Sequence, residues 1–202
     1  TPTPAPHRTP LIFIPGIGGS TLIADGGIEK WPGIPCFYDS LSLDPHQNGA
    51  NLTATDAIRR RTLPPRNIYG SLLERLENEG YRESGTNPTL FILPYDWRRA
   101  NEDRVTDLTG LIAVSRNKYP NTQVDIVAHS MGGLIARRYL LEHSSDHHVR
   151  KFITLGTPWL GAPKAINVLE TGQFIEPFDW GNFNLCTGTI KTLSVFFPAM
   201  HQ

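Results

Sequence analysis

Val124-Asp125-Ile126-Val127-Ala128-His129-Ser130-Met131-Gly132-Gly133 decides the fold. A short apolar run leads into a serine, small residues stand two positions before and after it, and apolar residues at helical spacing follow. Strand, sharp turn and helix in that order form a nucleophile elbow. The turn strains the serine backbone, which requires the small neighbours, and it lifts the hydroxyl of Ser130 to the positive end of the next helix. Gly132 meets the steric need, and Ala128 stands where a glycine is usual. The competing reading is a serine that caps a helix, but capping needs neither the glycine pair nor a buried strand before it. His129 adjoins the serine yet leaves the backbone in another direction, so it is expected to pack beside the elbow rather than act as the base.

Acyl transfer requires donors aimed at the developing oxyanion. One is expected from the backbone N–H of Met131, the residue after the nucleophile. The other is expected from the loop after the first strand, Pro15-Gly16-Ile17-Gly18-Gly19-Ser20, where the glycines allow close backbone approach. By position, that donor is Ile17. A phosphate-binding loop is the alternative, but the Walker lysine is absent and the dinucleotide spacing does not match.

Outward from the elbow, Leu11–Ile14, Leu90–Leu93 and Phe152–Leu155 repeat the character of Val124–Val127 and read as strands buried on both faces. Helical spacing fills the gaps. Tyr69, Leu72, Leu73 and Leu76 precede a stop at Gly80; Val105, Leu108, Ile112 and Ser115 precede Pro120; Leu134, Ile135, Leu140 and Leu141 follow Gly133. This alternation predicts a mostly parallel sheet with helices on both faces, and ligands beyond the carboxyl ends of its strands. Residues 1–10 read as a Pro/Thr-rich linker and 11–202 as one α/β domain. Within that domain, an insertion is expected near 26–66 and an aromatic lid near 172–188, where Phe174, Phe178, Trp180 and Phe183 have little period. A plain core role competes for those aromatics.

Composition narrows the function. Lys+Arg and Asp+Glu balance at 19 each, so no long-range field favours nucleic acid or an anionic membrane. Lipid contact, including transient contact with a membrane surface, must rest on apolar patches. No apolar run has the length of a bilayer span. Cys36 and Cys186 are too few to fix a compartment.

Four stretches together carry a family resemblance: Ile14-Pro15-Gly16-Ile17-Gly18-Gly19-Ser20, Pro94-Tyr95-Asp96-Trp97-Arg98, Ala128-His129-Ser130-Met131-Gly132-Gly133, and Leu155-Gly156-Thr157-Pro158 with Gly161. The chain resembles the lecithin:cholesterol acyltransferase family of the α/β-hydrolase superfamily, whose relatives include phospholipid:diacylglycerol acyltransferases and lysosomal phospholipase A2. The elbow is shared by many lipases, whereas the Tyr-Asp-Trp-Arg block is more particular to this group. The resemblance implies a serine lipase, phospholipase or lipid O-acyltransferase that uses no cofactor or metal. It implies lipid or ester substrates, no nucleic-acid partner, and a secreted or extracytoplasmic setting, with a cytoplasmic one as the alternative. It also places Trp97 on the substrate-binding side and the Trp31–Cys36 region near a membrane-contacting segment. The family's local disulfide is absent there, since only Cys36 is present. Asp96 and Arg98 are expected to brace the loop beside the pocket as a bidentate pair, against the alternative of a weak surface ion pair.

A triad in this fold runs Ser, then Asp, then His. His143, His147 and His148 follow the nucleophile helix in a polar stretch, and with Asp146 their spacing fits no tight metal site. Asp179 and His201 match no family position. The acid and base are therefore expected beyond residue 202, the chain appearing truncated before those loops. On that expectation the 202-residue chain alone loses about 10⁴–10⁶-fold in turnover. Its exposed sheet edge then calls for a partner or self-association. A catalytically impaired lipid-binding or regulatory domain is the competing function.

Overall fold

Side chains alternate across a strand, so β1 (Leu11–Ile14) sends Leu11 and Phe13 to one face and Ile12 and Ile14 to the other. All four are buried, which requires cover on both faces. In the computed structural model, which describes residues 8–33, 41–43, 49–62, 65–120 and 122–171, that cover is present. Leu11 and Phe13 pack with Tyr69, Leu73 and Val127 under α1 (Gly70–Asn78). Ile12 and Ile14 join Ile126, Ala128, Leu108, Ile112, Ile135 and Tyr139 under α2 (Asp103–Lys118) and α3 (Gly132–Glu142).

The main sheet has the order β7-β1-β8-β9 with β7 at Leu90–Ile92, β8 at Val124–His129 and β9 at Val149–Leu155, and every pairing is parallel. From β1 the chain proceeds to β7 on one side and then crosses, through α2, to β8 on the other. The order therefore reverses between β1 and β8, which opens a crevice beyond their carboxyl ends. The loops that leave these two strands are the glycine-rich turn and the elbow. With helices on both faces of this parallel sheet, the domain has the α/β-hydrolase fold.

The structure departs from the sequence expectations in one place and extends them in two. Strand β9 is not buried on both faces: Val149 is buried, but Ile153 and Leu155 are 48% and 39% exposed. Among the described residues β9 is an edge strand, as is β7 on the other side, and α4 (Pro163–Thr171) packs Ala165 and Leu169 against the core. Leu141 in α3 is also exposed, because the buried stripe runs through Ile135, Ala136 and Tyr139 instead. The stretch 26–66, expected as an insertion, holds strands of its own. It contributes β3 (Ile28–Trp31) and β4 (Thr53–Ala57), which flank β2 (Ser20–Ala24) antiparallel, and the hairpin of β5 (Arg60–Thr62) and β6 (Pro65–Asn67). All of these strands are short, and β3 and β4 are half exposed, so they leave no continuous apolar run in the sequence. Residues 172–188, Cys36 and Cys186 lie outside the described residues. The linker's end is already tied down, as the Pro10 carbonyl accepts the Asp125 N–H at 2.8 Å.

Candidate active site

Ser130 takes a backbone φ of 50°, the left-handed region that a non-glycine residue enters only at a cost of order 1–3 kcal/mol. Its surroundings hold it there. The Ser130 N–H donates to Leu155 O at 2.8 Å, across to β9, and the Ser130 carbonyl accepts the Gly133 N–H at 3.0 Å as α3 begins. A side chain at Gly132 would place its Cβ 2.5 Å from Pro15 O, so only glycine lets α3 start this close to the end of β1. The strand below is buried, the turn is strained, and the serine is only partly buried at its tip. The described geometry is that of an elbow rather than a simple helix cap.

The glycine-rich turn meets it. A Cβ on Gly16 would come within 2.9 Å of both Ser130 Cβ and His129 Nδ1, which places the turn's backbone against Ser130. The turn closes on itself through Gly19 N–H to Gly16 O at 2.9 Å, with Gly18 at φ 67°. This pattern has Ile17 and Gly18 at its two central positions. Most of the turn's polar groups are engaged. Pro15 O accepts Tyr95 O–H at 2.9 Å, Gly18 O accepts Trp31 Nε1–H at 2.7 Å, and Gly19 O accepts the Ile58 N–H at 2.8 Å. The Gly16 N–H donates to Tyr69 Oη at 2.9 Å. Among the described residues the N–H groups of Ile17 and Met131 have no acceptor, which leaves both available to a ligand.

Three aromatic side chains thus hold the turn. Burial raises the Tyr69 and Tyr95 hydroxyls above the ordinary tyrosine range, so both remain protonated donors. Tyr69 also contacts His129: its Oη lies 2.9 Å from Nδ1, and the rings meet edge to face at 5.6 Å. His129 therefore packs beside the elbow, and burial lowers its pKa. Trp31 meets Trp97 edge to face at 5.1 Å, and Trp97 is buried one layer behind it. Tyr69, Tyr95 and Trp31 were legible only as helix, motif and loop residues. Their hydrogen bonds to the turn span 53, 80 and 13 positions, which no local pattern reports.

The Asp96–Arg98 pair forms as a buried bidentate bridge. Arg98 Nε and Nη2 donate to the two Asp96 carboxylate oxygens at 2.8 and 2.6 Å, with the Arg98 side chain fully buried. Two further guanidinium N–H groups reach Leu41 O and Ala50 O, each at 3.2 Å, which ties those two residues to the bridge. Burial excludes the surface ion-pair reading. The histidines after α3 lie at the end of that helix opposite the elbow. His143 Nδ1 meets Tyr139 O, His147 Nδ1 accepts the Val149 N–H, and His148 pairs with Asp146 at 3.0 Å. Among the described residues no histidine or carboxylate is hydrogen-bonded to the Ser130 hydroxyl.

The family model for lecithin:cholesterol acyltransferase matches residues 51–202 of this sequence. The chain belongs to the lecithin:cholesterol acyltransferase family. Within it, the chain is 38% identical to the lysosomal phospholipase A and acyltransferase of Bos taurus over 84% of its own length and 52% of that protein's. It is 32% identical to the phosphatidylcholine-sterol acyltransferase of Rattus norvegicus, covering 83% of itself and 47% of the relative. Against phospholipase A(1) LCAT3 of Arabidopsis thaliana the identity is 31%, covering 66% and 30%. This member of the lecithin:cholesterol acyltransferase family thus spans about half, or less, of those relatives' lengths. Among solved structures, the mature lipase BlEst2 of Bacillus licheniformis aligns with 99% of the chain and 64% of its own at a TM-score of 0.49 and 16% identity.

Proposed function

We propose that this chain carries the nucleophile and oxyanion hole of a serine lipase, phospholipase or lipid O-acyltransferase. The observation that supports this reading best is the meeting of Gly16 with Ser130 Cβ, which puts the unengaged N–H groups of Ile17 and Met131 beside a strained serine. In the proposed reaction Ser130 Oγ attacks the carbonyl carbon of a lipid acyl ester. The oxyanion forms between the two N–H groups, each contributing about 3–4 kcal/mol in the transition state. Collapse breaks the ester C–O bond, the alcohol leaves with a proton, and an acyl-Ser130 ester remains. Water or an acceptor alcohol then takes the acyl group. No step calls for a cofactor. Trp97 serves the substrate side by backing the Trp31 indole against the turn. No described residue is assigned as acid or base.

Lipid substrates and an extracytoplasmic setting accord with relatives named as a lysosomal phospholipase A and acyltransferase and as a phosphatidylcholine-sterol acyltransferase. Transient contact with a lipid surface would use exposed apolar groups such as Trp159, Leu160 and Ile166, since the net charge is zero. Among the described residues, no helix is long and apolar enough to cross a membrane. The second reading is a lipid-binding or regulatory domain without turnover, favoured by the lack, among the described residues, of a base hydrogen-bonded to Ser130. A fluorophosphonate probe and a chromogenic fatty-acyl ester, applied to the chain and to Ser130→Ala, decide between them. Labelling and ester hydrolysis that both vanish in the variant support the enzyme. An unlabelled wild-type serine supports the binding domain.

A further inference from the structure

The Pro15–Gly16 peptide is gripped on both sides. Its carbonyl accepts the Tyr95 hydroxyl, and its N–H donates to the Tyr69 hydroxyl, each at 2.9 Å. This peptide precedes the one that carries the Ile17 N–H, and glycines at 16, 18 and 19 give the turn little conformational preference of its own. Tyr69 is anchored independently of the turn. Its backbone N–H donates to Ile58 O at 3.1 Å, and its ring packs edge to face on Phe13 at 5.0 Å. A phenylalanine would fill that core position equally well, so packing alone does not explain the hydroxyl. The phenol has a single proton. Its oxygen accepts the Gly16 N–H and lies 2.9 Å from His129 Nδ1; in the arrangement proposed below the phenol proton goes to Nδ1 and the imidazole carries its own on Nε2. His129 is the residue immediately before the nucleophile.

We propose that Tyr69 and His129 are positioning residues that lock the oxyanion turn to the nucleophile elbow through the chain Gly16 N–H to Tyr69 O–H to His129 Nδ1. This inference rests on the serine-esterase reading of the site. Neither side chain performs the chemistry. They hold the Ile17 N–H in register with Ser130, and the spacing between donor and nucleophile is the quantity that catalysis depends on. Displacing a catalytic group by about 1 Å can cost 10²-fold in rate.

The test uses the full chain, with kcat and KM on a fatty-acyl ester and the rate of Ser130 phosphonylation as readouts. Tyr69→Phe removes the bridge and is expected to lower kcat and the phosphonylation rate by about 10- to 100-fold with KM changed less than about threefold. His129→Leu is expected to act alike. His129→Asn, whose Oδ1 can occupy the place of Nδ1 as an acceptor, is expected to retain most of the activity. The double variant Tyr69→Phe/His129→Leu should be no slower than the slower single variant, because both cut the same link. Unchanged kcat in Tyr69→Phe, multiplicative losses in the double variant, or failure of His129→Asn to recover activity would overturn the proposal. A purely structural tyrosine would lower thermal stability without the kcat-specific loss or the rescue by Asn. Wild-type protein whose Ser130 resists phosphonylation would instead count against the esterase reading itself; since slow turnover is already expected of this chain, the labelling rate is the readout that separates the two failures.

Discussion

Removing the Asp96 carboxylate should be the costliest single change outside the elbow. The Arg98 side chain has no solvent exposure, and Asp96 takes its Nε, its Nη2 and its backbone N–H at 2.8, 2.6 and 3.2 Å. In Asp96→Ala the guanidinium retains, among the described residues, two long bonds to Leu41 O and Ala50 O and no counter-ion at close range. Stranding a buried charge costs about 3–5 kcal/mol, against about 0.2–1 kcal/mol for an exposed pair such as Arg75–Glu79. For a chain of this size the melting midpoint should fall by about 6–20 °C. Arg98→Met deprives the Leu41 and Ala50 carbonyls of their donors but leaves Asp96 paired with Arg99 at 3.6 Å, so it should cost less than Asp96→Ala. The double variant Asp96→Ala/Arg98→Met should cost less than the sum by at least about 2 kcal/mol, since the second change removes a charge already isolated. Urea unfolding followed by tryptophan fluorescence measures all three. A cost below about 1 kcal/mol for Asp96→Ala, or additive costs, would show that the pair is screened and that its burial does not govern its energy.

The Ile17 N–H can be deleted with little disturbance, because proline is favoured at the first central position of a turn of this kind and glycine follows it. Ile17→Pro is expected to keep the melting midpoint close to wild type and to lower kcat by about 10²–10³-fold; unchanged kcat would remove Ile17 from the oxyanion hole. His129 provides a pH test. Burial lowers its pKa in the fold, while the unfolded chain titrates near the ordinary value of about 6.5. Between those values the unfolded state binds a proton that the native state does not. His129 therefore subtracts stability as pH falls below about 6.5, levelling off beneath the native value. His129→Asn lacks this loss, so denaturant midpoints should favour the variant increasingly from about pH 7.5 to about pH 5. A constant difference across that range would refute the buried neutral histidine.

Local sequence alone determined the elbow, the parallel alternation and the buried stripe of α2, where Val105, Leu108, Ile112 and Ser115 are the very residues that face the core. Each is a short-range matter: side-chain period, steric demand at a turn, a helix ended before Pro120. The Tyr95–Arg98 block was legible as a motif, but only the fold showed Arg98 fully buried and reaching the carbonyls of Leu41 and Ala50. The exposure of β9 and the strands within 26–66 depended on which neighbours each segment acquired, and a strand's own residues do not encode that. The clearest case is the turn at Pro15–Ser20. Its glycines announced that backbone must come close to something, while the grip of Tyr69, Tyr95 and Trp31 arises across separations of 53, 80 and 13 residues. Hydrogen bonds of that range are set by how the small sheet, the start of α1 and the end of β7 return to the end of β1, so only the tertiary structure decided what holds the glycine-rich turn against Ser130.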